Sequence, residues 1–203
     1  MRRFGITLLT LSVFVAFLCA SAAVRPLVPS ALAVEEHFRE LFGDRSPSDE
    51  VLRTSHSRHF VNPDGSKTAY ISISPMHYKG TDGKYHLYDL TPNACELPNF
   101  AWSVTDNDLN VFFPSNGKGW FKAADLEGHY LLWREKGLYY LSPGGEARLL
   151  SSPSGASALP AGTKMRYAGV YPGVTMELVN GPGAVKHSYY FGALPSYLRG
   201  VEG

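Results

Sequence analysis

Seven histidines are the residues of this sequence best suited to bind a metal ion, so their spacing is considered first. His56 and His59 are three residues apart, a separation that places two side chains on opposite faces of a β-strand. His77 and His86 flank a turn and could approach each other across a hairpin. A zinc site needs three or four ligands, and nothing in the sequence supplies the others. We therefore expect packed or exposed imidazoles and predict neither a metal nor a cofactor.

Aspartate-glycine pairs and one short acidic segment are the places where calcium could bind. Asp64-Gly65 and Asp82-Gly83 are typical of turns, and Asp106-Asn107-Asp108 is a polar segment. A calcium loop needs oxygen ligands at alternate positions and a closing glutamate, which the three segments lack. Turn formation is the simpler interpretation, because aspartate and glycine favour the backbone angles that turns require.

The sequence contains no pattern typical of a catalytic nucleophile or a phosphate-binding loop. Gly-x-Ser-x-Gly is absent, and the serines of residues 151–157 lie in a segment of low complexity. A glycosidase uses two carboxylates that only the fold brings together. Acidic residues near aromatic residues are nominal candidates for such a pair: Asp89, Asp125, Glu127 and Glu177. The sequence therefore predicts no enzyme, with a fragment of a secreted hydrolase as an alternative.

Aromatic residues are the other candidates for ligand contacts. The chain has 12 Tyr, 11 Phe and 3 Trp, and exposed rings on a sheet can stack on sugars or anchor a protein partner. Tyrosine and phenylalanine are also preferred strand formers that fill cores. Trp102, Trp120 and Trp133 are therefore candidate ligand-contact residues, and a core role is the alternative.

The first 22 residues predict export. Arg2 and Arg3 precede an apolar stretch at residues 6–18, and an Ala-x-Ala pattern follows at Ala20 and Ala22. This is the layout of a secretory signal peptide, and about 13–15 apolar residues are too few to span a bilayer of about 30 Å. An uncleaved anchor helix is the alternative. We predict a secreted, cell-surface or periplasmic protein that meets the membrane only during export.

Removal of this leader changes the charge and the cysteine content. Loss of Arg2 and Arg3 shifts the formal net charge from +1 to −1. A near-neutral chain without a basic block gives no reason to expect nucleic acid. Cys19 would leave with the leader, so Cys95 is either a small buried residue or a thiol that pairs with another chain. A chain of about 180 residues can bury a core without cross-links.

Residues 23–49 predict an extended lead and one short amphipathic helix. Ser30 suits the N-cap, apolar residues recur at helical intervals as far as Phe42, and Gly43 suits the end of the helix. The helix would either dock on the β-rich region or act as a spacer.

Beyond residue 49, turn signals arrive every 8–15 residues between stretches rich in aromatic and β-branched residues. Residues 68–74 alternate, with Ala69, Ile71 and Ile73 on one face, as in a half-buried strand. Residues 130–133 and 138–141 flank a Glu-Lys-Gly segment and predict a hairpin.

These patterns predict a mainly β fold, an antiparallel sandwich or open barrel built from hairpins over residues 50–203. The serine- and glycine-rich segment 151–162 is the place for a connector or a subdivision.

Two segments carry a family resemblance. Residues 53–89 contain an Asn-Pro-Asp-Gly turn, the strand end Pro75-Met76-His77-Tyr78 and a second Asp-Gly turn. Residues 165–188 contain a corner formed by Tyr167, Val170, Tyr171, Pro172, Gly173 and Val174. Together they resemble the N-terminal β-rich region of large secreted bacterial surface proteins that carry Rhs/YD-type repeats, β-propeller-type repeats or adhesion modules further along.

The resemblance implies a β-rich region without catalytic residues. Two positions depart from the family pattern: Thr175 replaces an aspartate, and His187 replaces a glutamate. Downstream domains of a longer chain would then be partners, and a stand-alone module is the alternative. From the residues themselves, Pro172 fixes φ near about −65° and Gly173 accepts positive φ, so we expect a structural turn.

Three hypotheses follow, and each predicts a different surface. An exported structural or adhesion-like β-module, with a cell-surface glycan or protein as partner, would bury its tryptophans. A carbohydrate-binding module would present two or more coplanar rings on an exposed face. A hydrolase fragment would hold two carboxylates about 5–10 Å apart in a cleft.

Overall fold

The computed structural model describes residues 52–192 together with Arg39. The predicted signal peptide, residues 1–22, lies outside the described residues, as do the lead and helix predicted for residues 23–49, apart from Arg39. Within the described part of the chain, no helix has the length and hydropathy that crossing a membrane requires.

Residues 52–192 contain fifteen β-strands. They are β1 (Ser57–Val61), β2 (Lys67–Ile71), β3 (His77–Lys79), β4 (Tyr85–Leu87), β5 (Asn93–Ala94), β6 (Trp102–Val104), β7 (Leu109–Phe113), β8 (Phe121–Asp125), β9 (Tyr130–Trp133), β10 (Leu138–Leu141), β11 (Ala147–Ser151), β12 (Ala158–Ala161), β13 (Lys164–Tyr171), β14 (Val174–Gly181) and β15 (Ala184–Phe191).

These strands form antiparallel sheets whose strand order follows the sequence. Strands β5 to β9 form a five-stranded sheet and β12 to β15 a four-stranded sheet, while β1–β2, β3–β4 and β10–β11 are hairpins. No sheet within residues 52–192 closes on itself. The prediction of a mainly β, antiparallel fold built from hairpins is confirmed. The predicted connector at residues 151–162 contains β12, which pairs with β13.

Four hairpins are closed by the same kind of turn. In the β1–β2 hairpin, the amide of Asn62 donates to the carbonyl of Ser66 at 2.8 Å, and the amide of Gly65 donates to the carbonyl of Asn62 at 2.9 Å. Gly65 has a φ of 83°, which residues with a Cβ adopt only with strain. Equivalent bonds close the β3–β4, β8–β9 and β10–β11 turns. This three-residue loop with a glycine bulge matches the twist of the flanking strands.

The core draws side chains from both of the larger sheets. Val111, Phe113 and Phe121 come from the five-stranded sheet and are fully buried. Met176 and Leu178, at alternate positions of β14, are equally buried and belong to the same cluster. Burial of each such side chain contributes about 1.5–3 kcal/mol.

Two buried asparagines bind backbone groups, and the bonds of Asn107 join the two larger sheets. The side chain of Asn107 donates to the carbonyl of Gly181 at 3.0 Å and accepts from the amide of Gly183 at 2.9 Å. The side chain of Asn180 donates to the carbonyl of Thr163 at 3.0 Å. Because Asn107 is completely buried, these bonds satisfy backbone groups that water cannot reach.

The predicted hairpin between residues 130–133 and 138–141 is wrong. Strand β9 pairs with β8, and β10 pairs with β11. The intervening Glu135 is 4% exposed and turns inward, where tyrosine hydroxyls bind its carboxylate. The chain therefore crosses from one sheet to another at the position predicted as a tight turn.

The alternation of residues 68–74 is present, but its apolar face points to solvent. Ile71 is 75% exposed and Ile73 is fully exposed. The opposite face of the hairpin carries Phe60, which is 5% exposed and pairs with Thr68. Phe60 has a larger apolar side chain than isoleucine, and its face of the hairpin is the buried one. Ile71 and Ile73 lie on the other face and therefore point to solvent.

Candidate functional site

A groove of about 610 Å³ lies on the outer face of the five-stranded sheet. Inward and outward residues alternate along β8, so Phe121 points into the core while Lys122 points outward. Strand β9 and the segments before β6 and after β7 supply the other walls. The lining residues are Asn99, Phe100, Pro114, Ser115, Asn116, Gly119, Trp120, Lys122, Tyr130 and Leu132.

Trp120 is the most accessible tryptophan of the groove and of the described chain. Its side chain is 45% exposed, and the guanidinium carbon of Arg134 lies 4.7 Å from its ring centroid. A cation over an indole is attracted to its π-face, which orients the ring without burying it. The exposed part of Trp120 is thus available to stack on a flat apolar surface.

Lys122 lies between two aromatic rings of the same sheet face. Its Nζ is 5.3 Å from the centroid of Phe112 and 5.1 Å from the centroid of Tyr130. Register explains the placement, because Phe112 pairs with Lys122 and Ala124 pairs with Tyr130. The ammonium group is therefore held at the groove by two π-faces and makes no ion pair with a carboxylate of residues 52–192.

The walls of the groove are fixed by backbone geometry. Asn99 has a φ of 72°, and the amide of the next residue, Phe100, donates to the carbonyl of Leu97 at 3.2 Å. On the opposite side, a Cβ at Gly119 would lie 2.3 Å from the Cβ of Pro114. Only glycine permits this approach, so the two loops present their side chains from defined positions.

The sequence-predicted tryptophans divide between groove and core. Trp102 and Trp133 are half-buried and pack against the core cluster, whereas Trp120 lines the groove. Trp133 stacks on buried Phe121 with 5.4 Å between centroids and 19° between planes. Within residues 52–192 this near-parallel pair lies in the core, and no coplanar ring pair lies on the groove face.

The predicted corner supports the groove from below. The hydroxyl of Tyr167 donates to the carbonyl of Pro114 at 2.9 Å, and Tyr167 is completely buried. Val170 is also buried, and a Cβ at Gly117 would lie only 3.0 Å from its Cγ2 atom. Strand β13 therefore fixes the segment that carries Pro114 and Gly119.

The turn within this corner is formed by Pro172 and Gly173. Tyr171 and Val174 are paired as the closing residues of the β13–β14 hairpin. Gly173 has a φ of 74°, as the second loop position after a proline requires. Tyr171 and Val174 are buried, so the turn anchors two core side chains.

A buried carboxylate network lies beside the corner, and sequence analysis did not find it. The hydroxyl of Tyr171 donates to Oε2 of Glu135 at 2.8 Å, and the hydroxyl of Tyr189 donates to Oε1 at 2.7 Å. Nε2 of His187 is 3.7 Å from Oε1 and makes no hydrogen bond within residues 52–192. These two bonds satisfy polar atoms that burial removes from water.

Burial controls the titration of this network. It lowers the pKa of His187, and the nearby carboxylate of Glu135 opposes the shift. Burial also raises the pKa of Tyr189, and Glu135 adds to that effect. At neutral pH the imidazole of His187 is therefore neutral and the phenol of Tyr189 is protonated.

The histidines considered for metal binding are separated by the fold. Tyr78, not His77, pairs with His86, so the two histidines lie on opposite faces of the β3–β4 hairpin and the predicted approach is wrong. Nδ1 of His77 donates to the carbonyl of Thr54 at 2.9 Å. His86 pairs instead with Asp82, with 3.0 Å between Nε2 and Oδ1.

One group outside the groove has the composition of a metal site. Ligand atoms of Asp125, Glu127 and His129 lie within 4.8 Å of one another at the β8–β9 turn. The Asp125 carboxylate already accepts the backbone amides of Glu127 and His129 and the ring Nδ1–H of His129. The side-chain bond from His129 lowers the pKa of Asp125. This geometry is that of an exposed turn cap, which explains the cluster without a metal.

The other nominal acidic candidates also have structural contacts. Oδ1 of Asp89 accepts the amide of Thr91 at 3.0 Å. Glu177 is buried and pairs with Lys164 at 3.0 Å and with Arg166 at 3.5 Å. Among the described residues that line the groove there is no aspartate or glutamate.

Comparisons with protein families, with curated proteins and with solved structures find no match for this chain. The resemblance to secreted bacterial surface proteins stays a prediction.

Proposed function

We propose that this protein is an exported, adhesion-like β-module that binds a saccharide in the groove beside Trp120. In this proposal the two larger sheets form a β-sandwich, and the outer face of one of them is the binding surface. Cell-surface glycans are the partners, and the contribution to adhesion is binding without catalysis.

The observation that carries the proposal is the exposed indole of Trp120 within a built groove. Sugar rings have apolar faces that stack on aromatic side chains, while their hydroxyl groups need polar partners. Because no coplanar ring pair of the described residues lies on the groove face, Trp120 acts as a single stacking platform in this proposal. Tyr130 adds an exposed apolar surface, and the amides of Asn99 and Asn116 supply donors and acceptors at the rim. The groove thus combines the two kinds of contact that a saccharide requires.

A binding role suits the groove better than hydrolysis does. Glycoside hydrolysis requires a carboxylic acid and a carboxylate flanking the scissile bond. The groove-lining residues within 52–192 include neither aspartate nor glutamate, and Glu135 and Glu177 are buried by their own partners. Appearance of shorter oligosaccharides after incubation with the protein would contradict the non-catalytic part of the proposal.

Binding is tested by applying the purified protein to an array of oligosaccharides and measuring Kd for each hit by calorimetry. Trp120→Ala is expected to weaken binding by about tenfold or more, since stacking contributes on the order of 1.4 kcal/mol or more. Trp120→Phe keeps an aromatic ring and should weaken binding less than Trp120→Ala does. The matched control is Phe191→Ala, which removes an exposed ring on β15 away from the groove. An array without hits, or equal effects of Trp120→Ala and Phe191→Ala, would refute the proposal.

Export is tested by the N-terminus of the mature protein. If the leader is cleaved after Ala22, protein recovered from the medium or the cell surface begins at Ala23. Recovery of a cytosolic product that retains Met1 would contradict this part of the proposal. The saccharide-binding measurement is independent of that outcome.

A further inference from the structure

Charge is distributed unevenly around the groove. Its lining within residues 52–192 contains Lys122 but no acidic side chain. A second cation, Arg134, lies over the ring of Trp120 and is itself exposed. The chain as a whole is close to neutral, with a formal net charge of +1 before any processing. The positive potential at the groove is therefore local rather than a property of the whole surface.

The two cations are positioned in a way that leaves their charge available. Lys122 contacts the π-faces of Phe112 and Tyr130, and Arg134 contacts the π-face of Trp120. These contacts orient the cations without neutralising them, in contrast to Lys164, which pairs with Glu177 at 3.0 Å. No carboxylate of residues 52–192 makes an ion pair with Lys122 or Arg134.

We infer that the groove selects acidic saccharides, in which a carboxylate on the sugar ring contacts Lys122 while the ring stacks on Trp120. This inference rests on the proposed function, because it names the class of saccharide that the same groove takes. A neutral sugar would use only the stacking surface and the amides of Asn99 and Asn116. A carboxylate adds a charge-assisted hydrogen bond to the ammonium group, which lies beside low-dielectric aromatic rings.

The test compares acidic saccharides, which carry one or more carboxylates, with neutral counterparts. Suitable pairs are trigalacturonate with galactotriose, C6-oxidised cellotriose with cellotriose, and sialyllactose with lactose. We expect the acidic member of at least one pair to bind about tenfold more tightly at low salt, with the preference decreasing as salt screens the charge. Lys122→Met, which keeps the aliphatic stem on the rings, should reduce the preference to about twofold or less.

Two further variants control for charge and for folding. Lys122→Arg retains a cation between the rings and should keep the acidic preference. Lys84→Met removes an exposed lysine at the β3–β4 turn, outside the groove, and should leave the preference unchanged. A preference that survives Lys122→Met, or is lost equally in Lys84→Met, would overturn the inference.

The outcomes separate this inference from the proposed function. If acidic and neutral members bind equally and Trp120→Ala weakens both, the charge selection is refuted and saccharide binding stands. If no member of any pair binds while the array gives other hits, the charge selection is refuted and saccharide binding stands. If the array also gives no hit, both are refuted.

Discussion

Glu135 and Tyr189 are 54 positions apart in the sequence, yet the hydroxyl of Tyr189 donates to Oε1 of Glu135 at 2.7 Å. This bond joins the segment between β9 and β10 to the last strand of the four-stranded sheet. Tyr171 binds the other carboxylate oxygen, so one buried acid holds two strands in register with a third segment. The stability of this fold therefore depends on a polar network within its interior.

Substitution of Glu135 by alanine should destabilise the protein by about 2–4 kcal/mol. The variant leaves two tyrosine hydroxyls without an acceptor in a buried site, which costs more than the loss of the bonds themselves. Urea unfolding measures the change, with Glu146→Ala as the control because that glutamate is exposed at a turn. If the free energy of unfolding falls by the same small amount in both variants, the network does not stabilise the fold.

His187 should make stability depend on pH. Its pKa is lowered in the folded protein by burial, so the unfolded chain binds the proton more readily below its own pKa of about 6.5. Stability is then full above about pH 6.5 and falls as the pH drops towards the folded pKa, by at most about 1.4 kcal/mol per pH unit. Urea unfolding of wild type and His187→Phe between pH 7.5 and 5.5 measures this. The free energy of unfolding of His187→Phe should depend less on pH than that of the wild type. Identical pH dependence would show that His187 is not the titrating group.

Tyr167→Phe should cost about 1–2 kcal/mol, because it leaves the buried carbonyl of Pro114 without its donor. Tyr140→Phe is a suitable comparison, since the Tyr140 hydroxyl makes no hydrogen bond within residues 52–192. This variant should lower the free energy of unfolding by less than about 0.5 kcal/mol. Because Pro114 lines the groove, Tyr167→Phe should also weaken saccharide binding. Unaltered stability would show that water replaces the bond.

Gly173→Ala should destabilise the protein by about 1–2 kcal/mol, because a φ of 74° brings a Cβ too close to the following carbonyl. Gly155→Ala is the matched control, since no atom lies within 4 Å of a Cβ there and its φ is not in the positive region. Thermal unfolding of both variants distinguishes them. Equal melting temperatures would contradict the turn geometry.

Local sequence signals predicted the turns at residues 62–65 and 172–173 because the causes of these turns are local. The turn at Asn62 and Gly65 depends on residues that are adjacent in sequence, and the same holds for Pro172 and Gly173. Met176 and Leu178 share the buried face of β14, because strand geometry alone places alternate residues on one face.

The errors of prediction have long-range causes. Nothing near Glu135 in the sequence indicates that tyrosines 36 and 54 positions away bind its carboxylate. The outward orientation of Ile71 depends on Phe60, whose larger ring occupies the inner face of the same hairpin. Likewise, the sequence does not distinguish Trp120 from the other two candidate ligand-contact tryptophans, because only the packing of β8 determines which ring faces solvent.

The short closing turns also determine the order in which we expect the chain to fold. Each hairpin brings together residues that are only a few positions apart, so its loop-closure entropy is small. Bonds such as that from Asn180 to the carbonyl of Leu90 span 90 positions and can form only after the hairpins meet. Assembly of this protein should therefore proceed by collision of preformed two-stranded units, and its slowest step is their docking rather than strand pairing.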